Sequence, residues 1–166
     1  MMTENTLAKL FEHNNWANAQ ILKACSTLSD DQLDAPPQSA TEGSIRSTLV
    51  HLVSAQHGYL RLLTLPLEER QDRVTVEFAD LERSLKNSGD RLLELARDAS
   101  KLPATRIQTR DVHLVEAWVV MLQIINHATE HREQIKSMLT ALGVTPPDID
   151  GWDYGEATNA LAPMSA

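Results

Sequence analysis

Apolar residues recur at steps of three and four along four long stretches of the chain, the mark of helices that bury one face. The first stretch runs from about Thr6 to Leu28, with the stripe Leu7, Leu10, Asn14, Ala17, Ile21, Ala24 and Leu28. The second, from about Thr41 to Leu63, carries Ile45, Leu49, Leu52, Gln56, Leu60 and Leu63. The third, from about Val76 to Leu102, carries Phe78, Leu81, Leu85, Ser88, Leu92, Leu95, Ala99 and Leu102. The longest, from about Val112 to Leu142, carries Val120, Ile124, His127, His131, Ile135, Met138 and Leu142. Breakers stand at Pro36-Pro37, Pro66 and Pro103, and Gly143 followed by Pro146-Pro147 ends the last stretch.

Ser29-Asp30-Asp31-Gln32 has capping-box spacing for a short turn, and Ser39 with Glu42 could cap the second helix in the same way. Strand-like alternation of useful length is missing. The expectation is an all-α four-helix bundle forming one domain over residues 1–166. The long connection from Thr64 to Thr75 is charged from Glu68 to Arg73, as a solvated crossover would be. A link of that length means the middle two helices need not be antiparallel. In the tail from Asp148 to Ala160, Trp152 and Tyr154 are expected to pack over one end of the bundle.

Composition narrows the partners. The chain has 166 residues, 42% of them hydrophobic, and a net charge of −8. That excess of acid argues against nucleic acid and anionic membranes, which attract surplus Lys and Arg. Cys25 is the only cysteine, so neither an intrachain disulfide nor a thiolate-rich zinc site is expected. The first residues, Met-Met-Thr-Glu-Asn-Thr-Leu, lack a basic stretch followed by an apolar one, and no apolar run approaches the ~20 residues of a membrane span. The expected location is cytoplasmic.

The candidate chemistry lies in the last helix. His127 and His131 are the only polar members of its apolar stripe. Positions four apart differ by only about 40° around a helix, so both rings should face the same way, toward the core. A buried ring needs partners, because an unsatisfied polar group costs roughly 1–3 kcal/mol. Two hydrogen-bonded core histidines would satisfy that need, and so would a metal ion, for which H-x-x-x-H is a recurrent ligand pair. The metal reading requires a further ligand from a facing helix.

His51 sits beside Leu52, in a row that continues to the small residues Ala55 and Gly58. His57 lies about 120° around from it and reads as a boundary residue. Pattern favours His51 modestly. His13 and His113 are expected at the surface, and Glu130 and Glu133 facing solvent. Asn14 interrupts the first stripe, either as a polar core residue bonded to backbone or as support for a ligand ring. No glutamate precedes a histidine by three residues, which removes the di-iron carboxylate pattern. The zinc-protease H-E-x-x-H and the nucleotide-binding glycine motifs are absent too. Three nitrogen ligands would leave positions open, as catalytic sites do.

The chain resembles the DinB superfamily of metal-binding helical bundles. Asn14-Asn15-Trp16-Ala17-Asn18 is similar to that family's N-x-W-A-N helix. The segment from Gly43 to Leu52 is similar to its G-S-I-x-x-T-L-x-H-L pattern, and that from Asn126 to Ile135 to its N-H-A-T-x-H-R-x-Q-I pattern. Gly143-Val144-Thr145-Pro146-Pro147-Asp148 is similar to its exit from the last helix. The resemblance implies that His51, His127 and His131 ligate one divalent ion, zinc or nickel, and it selects His51 over His57. It also implies an up-down-down-up order and a homodimer. The activities it implies are those of thiol transferases and isomerases using low-molecular-weight thiols such as bacillithiol or mycothiol; metal-dependent hydrolysis and a non-catalytic stress-response module remain alternatives. One departure is Glu130, where many members carry another histidine.

Overall fold

The computed structural model describes residues 5–37, 43–70, 75–162 and 164. Its described residues are mostly helical. Four long helices dominate: α1 (Thr6–Cys25), α3 (Ile45–Thr64), α4 (Leu81–Arg97) and α5 (Ala117–Ala141). Two short ones, α2 (Asp30–Leu33) and α6 (Gly151–Ala157), complete the set.

The ends follow local chemistry. Asn5 caps α1 by accepting from the amide of Ala8. Ser29 and Gln32 form the expected capping box of α2. The Ser39–Glu42 pair lies outside the described residues; it is Ser44 that caps α3, accepting from the Ser47 amide. Gly43 precedes it at a φ of +87°, a backbone conformation that favours glycine in the turn into α3. At the other end of the chain Gly143, at φ +74°, closes α5 as expected.

Two expectations about elements need correction. The segment before α5 does not continue the helix to Val112. Ile107–Gln108 (β1) and Leu114–Val115 (β2) pair antiparallel, with Val112 at a φ of +66° in the turn. Two residues per strand are too few for alternation to show in a sequence. The third stripe is also shorter as a helix than expected. Single 3-10 turns at Phe78–Asp80 and Ala99–Lys101 flank α4.

α1 packs on α4 and α5, and α3 packs on the same two helices. The core falls into two apolar clusters. One gathers Ala17, Ile21 and Cys25 with Ile45, Leu49, Val53, Leu81, Leu85, Ile135, Met138 and Leu139. The other gathers Phe11 with Leu60, Leu63, Leu92, Leu95, Val120, Met121 and Ile124. Leu10, expected in the first stripe, is 47% exposed, and Phe11 takes the core position instead. Between the clusters each long helix contributes buried polar residues: Asn14 and Asn18, Gln56, Ser88, and Arg132.

The tail folds as α6, held by an Asp150–Asp153 capping box. Tyr154 packs against Trp16 and His13, but Trp152, expected to pack there too, is 71% exposed. His13 is correspondingly not a free surface residue. Its Nε2 lies 2.9 Å from the Ile149 carbonyl, a contact made by a tail more than 130 residues away in sequence.

Candidate metal centre

α3 and α5 lie side by side, and this contact brings three imidazoles together. His127 Nε2 is 3.1 Å from His51 Nε2 and 3.2 Å from His131 Nε2. One donor atom from each of the three lies within 4.8 Å of the others, so the group could hold a metal ion. His57, by contrast, stands at the boundary with its Nε2 3.3 Å from the Ser84 carbonyl. His113 is exposed beside Asp111. Glu130 and Glu133 are exposed as expected.

Burial differs from expectation. Val120, Ile124, Ile135 and Met138 of the predicted row are core residues, but its two middle positions are not. Ala128 and Arg132, one residue further along, are 3% exposed each, while His127 and His131 are half-buried and His51 is exposed. The triad therefore stands at the edge of the α3–α5 seam, open to small molecules. The small residues Ala55 and Gly58 do leave space beside His51, as expected. A cavity of about 600 Å³ is lined by His51, Ser47, Ser54, Ala55, Gly58 and Arg46, among others.

Proton accounting shows what the cluster is suited to. His131 Nδ1 is 2.7 Å from Gln134 Oε1, which can only accept, so Nδ1 carries the proton and a neutral ring presents a lone pair at Nε2. Burial, and then the neighbouring His131 and His51, holds the His127 pKa down at about 4. Near neutral pH His127 thus has at most one N–H at Nε2 for two neighbouring nitrogens. A cation satisfies all three at once. His51, His127 and His131 would hold such an ion through these ring nitrogens. Tyr59, one of the residues that sequence reasoning passed over, meets the His127 ring edge-on at 5.7 Å between centroids.

Behind the triad lies a polar layer that the stripes only hinted at. The Arg132 guanidinium donates through one nitrogen to Asn14 Oδ1 and Asn18 Oδ1, both at 2.7 Å. The other terminal nitrogen donates to Thr129 Oγ1 at 2.9 Å. Asn18 Nδ2 donates to Gln56 Oε1, and Gln56 Nε2 donates to Ser88 Oγ. Burial lowers the Arg132 pKa to about 10, so the group stays charged near neutral pH. Asn14 therefore fills neither expected role: it bonds a side chain of α5, neither backbone nor a ligand ring, and its Nδ2 has no hydrogen-bond partner among the described residues. Arg132 and Asn18 sit within the matched motif segments, but periodicity offers no reason to bury an arginine.

Comparison with known proteins agrees with this architecture. No curated protein matches the chain. A crystal structure of a protein from Exiguobacterium sibiricum, assigned to the DinB family, superimposes with a TM-score of 0.65 at 20% identity. The match covers 86% of this chain and 95% of that one, and at such identity it speaks for the fold. The DinB family profile matches residues 1–163, and with nearly its whole length so matched the chain belongs to the DinB family.

Proposed function

We propose that this protein is a metal-dependent enzyme in which His51, His127 and His131 hold one divalent ion, zinc or nickel. Its reaction is transfer of a low-molecular-weight thiol to a small electrophilic molecule, or hydrolysis of one. The observation that carries the reading is the convergence of three Nε2 atoms, with His127 at 3.1 and 3.2 Å from its neighbours. Nitrogen ligands suit zinc and nickel alike. When bound, the ion supplies positive charge that makes a thiol or water at the site acidic enough to react near neutral pH.

The chain's own residues prepare the rest. Gln134 fixes the His131 tautomer, and Tyr59 packs against the His127 ring. The cavity beside His51 gives a small substrate room against the ring. Three protein ligands favour catalysis over a structural role, because structural sites close all four positions with protein groups. A binding module without turnover is the alternative. It is favoured by one fact: among the described residues no carboxylate is hydrogen-bonded to His127 or His131.

The proposal extends to the bundle and its partners. One apolar cluster joins the opening halves of α1 and α5 with the closing halves of α3 and α4, and the other joins the converse halves, which supports an up-down-down-up four-helix bundle. The partner is a second copy of the chain, for which exposed Leu114, Trp118 and Leu122 offer apolar surface. Nucleic acid and membrane are not partners, given the net charge of −8. Among the described residues no helix is long and apolar enough to cross a membrane.

The test has two stages. Metal content is measured after reloading wild type and His127→Ala with zinc or nickel; equal stoichiometric uptake would refute the ligation. The loaded protein is then offered several low-molecular-weight thiols with a bimane electrophile, and separately ester and amide panels. Metal-dependent turnover that is lost in His51→Ala, His127→Ala and His131→Ala supports the enzyme. Absence of turnover with every substrate selects the binding module.

A further inference from the structure

The buried polar layer is costly to build into a core. A guanidinium 3% exposed faces neutral amides, with no ion-paired carboxylate among the described residues. Removing a charge from water for such partners is expensive, and apolar side chains of similar volume often stabilise a core as well or better. Something other than net stability accounts for the arrangement.

Its placement suggests what. Arg132 follows His131 directly, and its guanidinium folds back to Thr129 across the turn that lies between the two candidate ligands of α5. Thr129 Oγ1 in turn donates to the Ile125 carbonyl. From the same guanidinium the bonds run to Asn14 and Asn18 of α1, and from Asn18 to Gln56 of α3, the helix that carries His51. The two helices that share the triad are therefore tied through a directional chain as well as by apolar contact.

Apolar contact is tolerant of small rotations. Hydrogen bonds are not. With side-chain tips about 5–6 Å from the helix axis, a 10° rotation of α5 moves a ring nitrogen by roughly 1 Å. Separations of 3.1 and 3.2 Å between donor nitrogens leave little room for such a shift, since a preorganised site must hold its geometry within about 0.5 Å.

We infer that Arg132 is a positioning residue: bonded to Asn14, Asn18 and Thr129, it fixes the rotation of α5 against α1 and α3 so that His127 and His131 converge on His51. The inference rests on the metal-site reading above, and it adds a residue that touches neither metal nor substrate.

The experiment compares the full-length protein with Arg132→Lys and Thr129→Val. Thr129 is exposed, so its variant removes one end of the guanidinium clamp without opening the core. Thr140→Val is the control, because that exposed hydroxyl makes the same four-residue bond, to the Lys136 carbonyl, with no guanidinium attached. Zinc affinity is measured by competition with a chromogenic chelator, and the visible spectrum is recorded after loading with cobalt(II). Circular dichroism first establishes that each variant is folded. The expected result is a ten- to hundredfold loss of zinc affinity in Arg132→Lys, a smaller loss in Thr129→Val, and shifted cobalt bands in both, with Thr140→Val like wild type. Should Arg132→Lys fail to fold, Thr129→Val decides alone. Folded variants with wild-type affinity and unchanged cobalt bands would overturn the inference. Failure of the unaltered protein to bind zinc or cobalt would instead overturn the metal reading itself, before any variant is compared.

Discussion

Replacing Gln134 tests the most local claim about the site. Its Oε1 lies 2.7 Å from His131 Nδ1, three residues away on the same helix. The bond holds the proton on Nδ1 and the ring in the plane that aims Nε2 at His127. Gln134→Leu removes the acceptor, so His131 can carry its proton on Nε2 and turn. Loss of such an outer partner typically costs about 10–100-fold in metal affinity, equivalent to roughly 1.4–2.8 kcal/mol. The fold should suffer less, because one neutral hydrogen bond contributes a net ~0.5–1.5 kcal/mol. Gln134→Glu reverses the direction: a carboxylate acceptor raises the basicity of the ring, and affinity should equal or exceed that of wild type. Zinc titration against a competing chelator reads all three proteins, with urea unfolding of the metal-free forms as the companion measurement. Equal affinity within twofold for Gln134→Leu and wild type would show that Gln134 does not orient the ring.

Three further outcomes are expected. In the metal-free protein the His127 pKa stands at about 4, below its ordinary 6.5, so the folded state binds fewer protons than the unfolded one between those values. The associated stability is fully present above pH 6.5 and lost as pH falls toward 4, by roughly 1–2 kcal/mol once solvent screening is allowed for; urea midpoints of wild type and His127→Gln across pH 4–7 should differ in slope, and identical slopes would refute it. Phe11 is fully buried among residues of all four long helices, so Phe11→Ala should cost about 3–5 kcal/mol and lower the melting temperature by on the order of 10 °C; a loss under about 1 kcal/mol would contradict the packing. If Trp118, 62% exposed on α5, lies in a self-association surface, light scattering should find a dimer for wild type and a monomer for Trp118→Glu. A monomeric wild type would end the dimer proposal.

The helices were legible in the sequence because their causes are local. Three-and-four spacing, the Ser29 capping box, the prolines and Gly143 act within a few residues, and the structure follows them closely in α2, α3 and the end of α5. That His127 and His131 share a helix face was equally readable, since it follows from helical geometry alone. Which third histidine meets them was not: spacing favoured His51 over His57 only modestly, and the choice depends on how α3 rotates against α5. Val120, Ile124, Ile135 and Met138 are buried as the spacing predicts, but the middle of the row differs for a related reason. An arginine is ordinarily exposed, so the pattern runs through the histidines there, whereas Arg132 is buried because Asn14 and Asn18, 118 and 114 residues away, supply its acceptors. His13 gained cover in the same way from the tail at Ile149. Local pattern tells where a helix begins, ends and is apolar; partners distant in the chain decide which polar side chain is buried, because hydrogen bonds that only the folded chain can form must offset its desolvation.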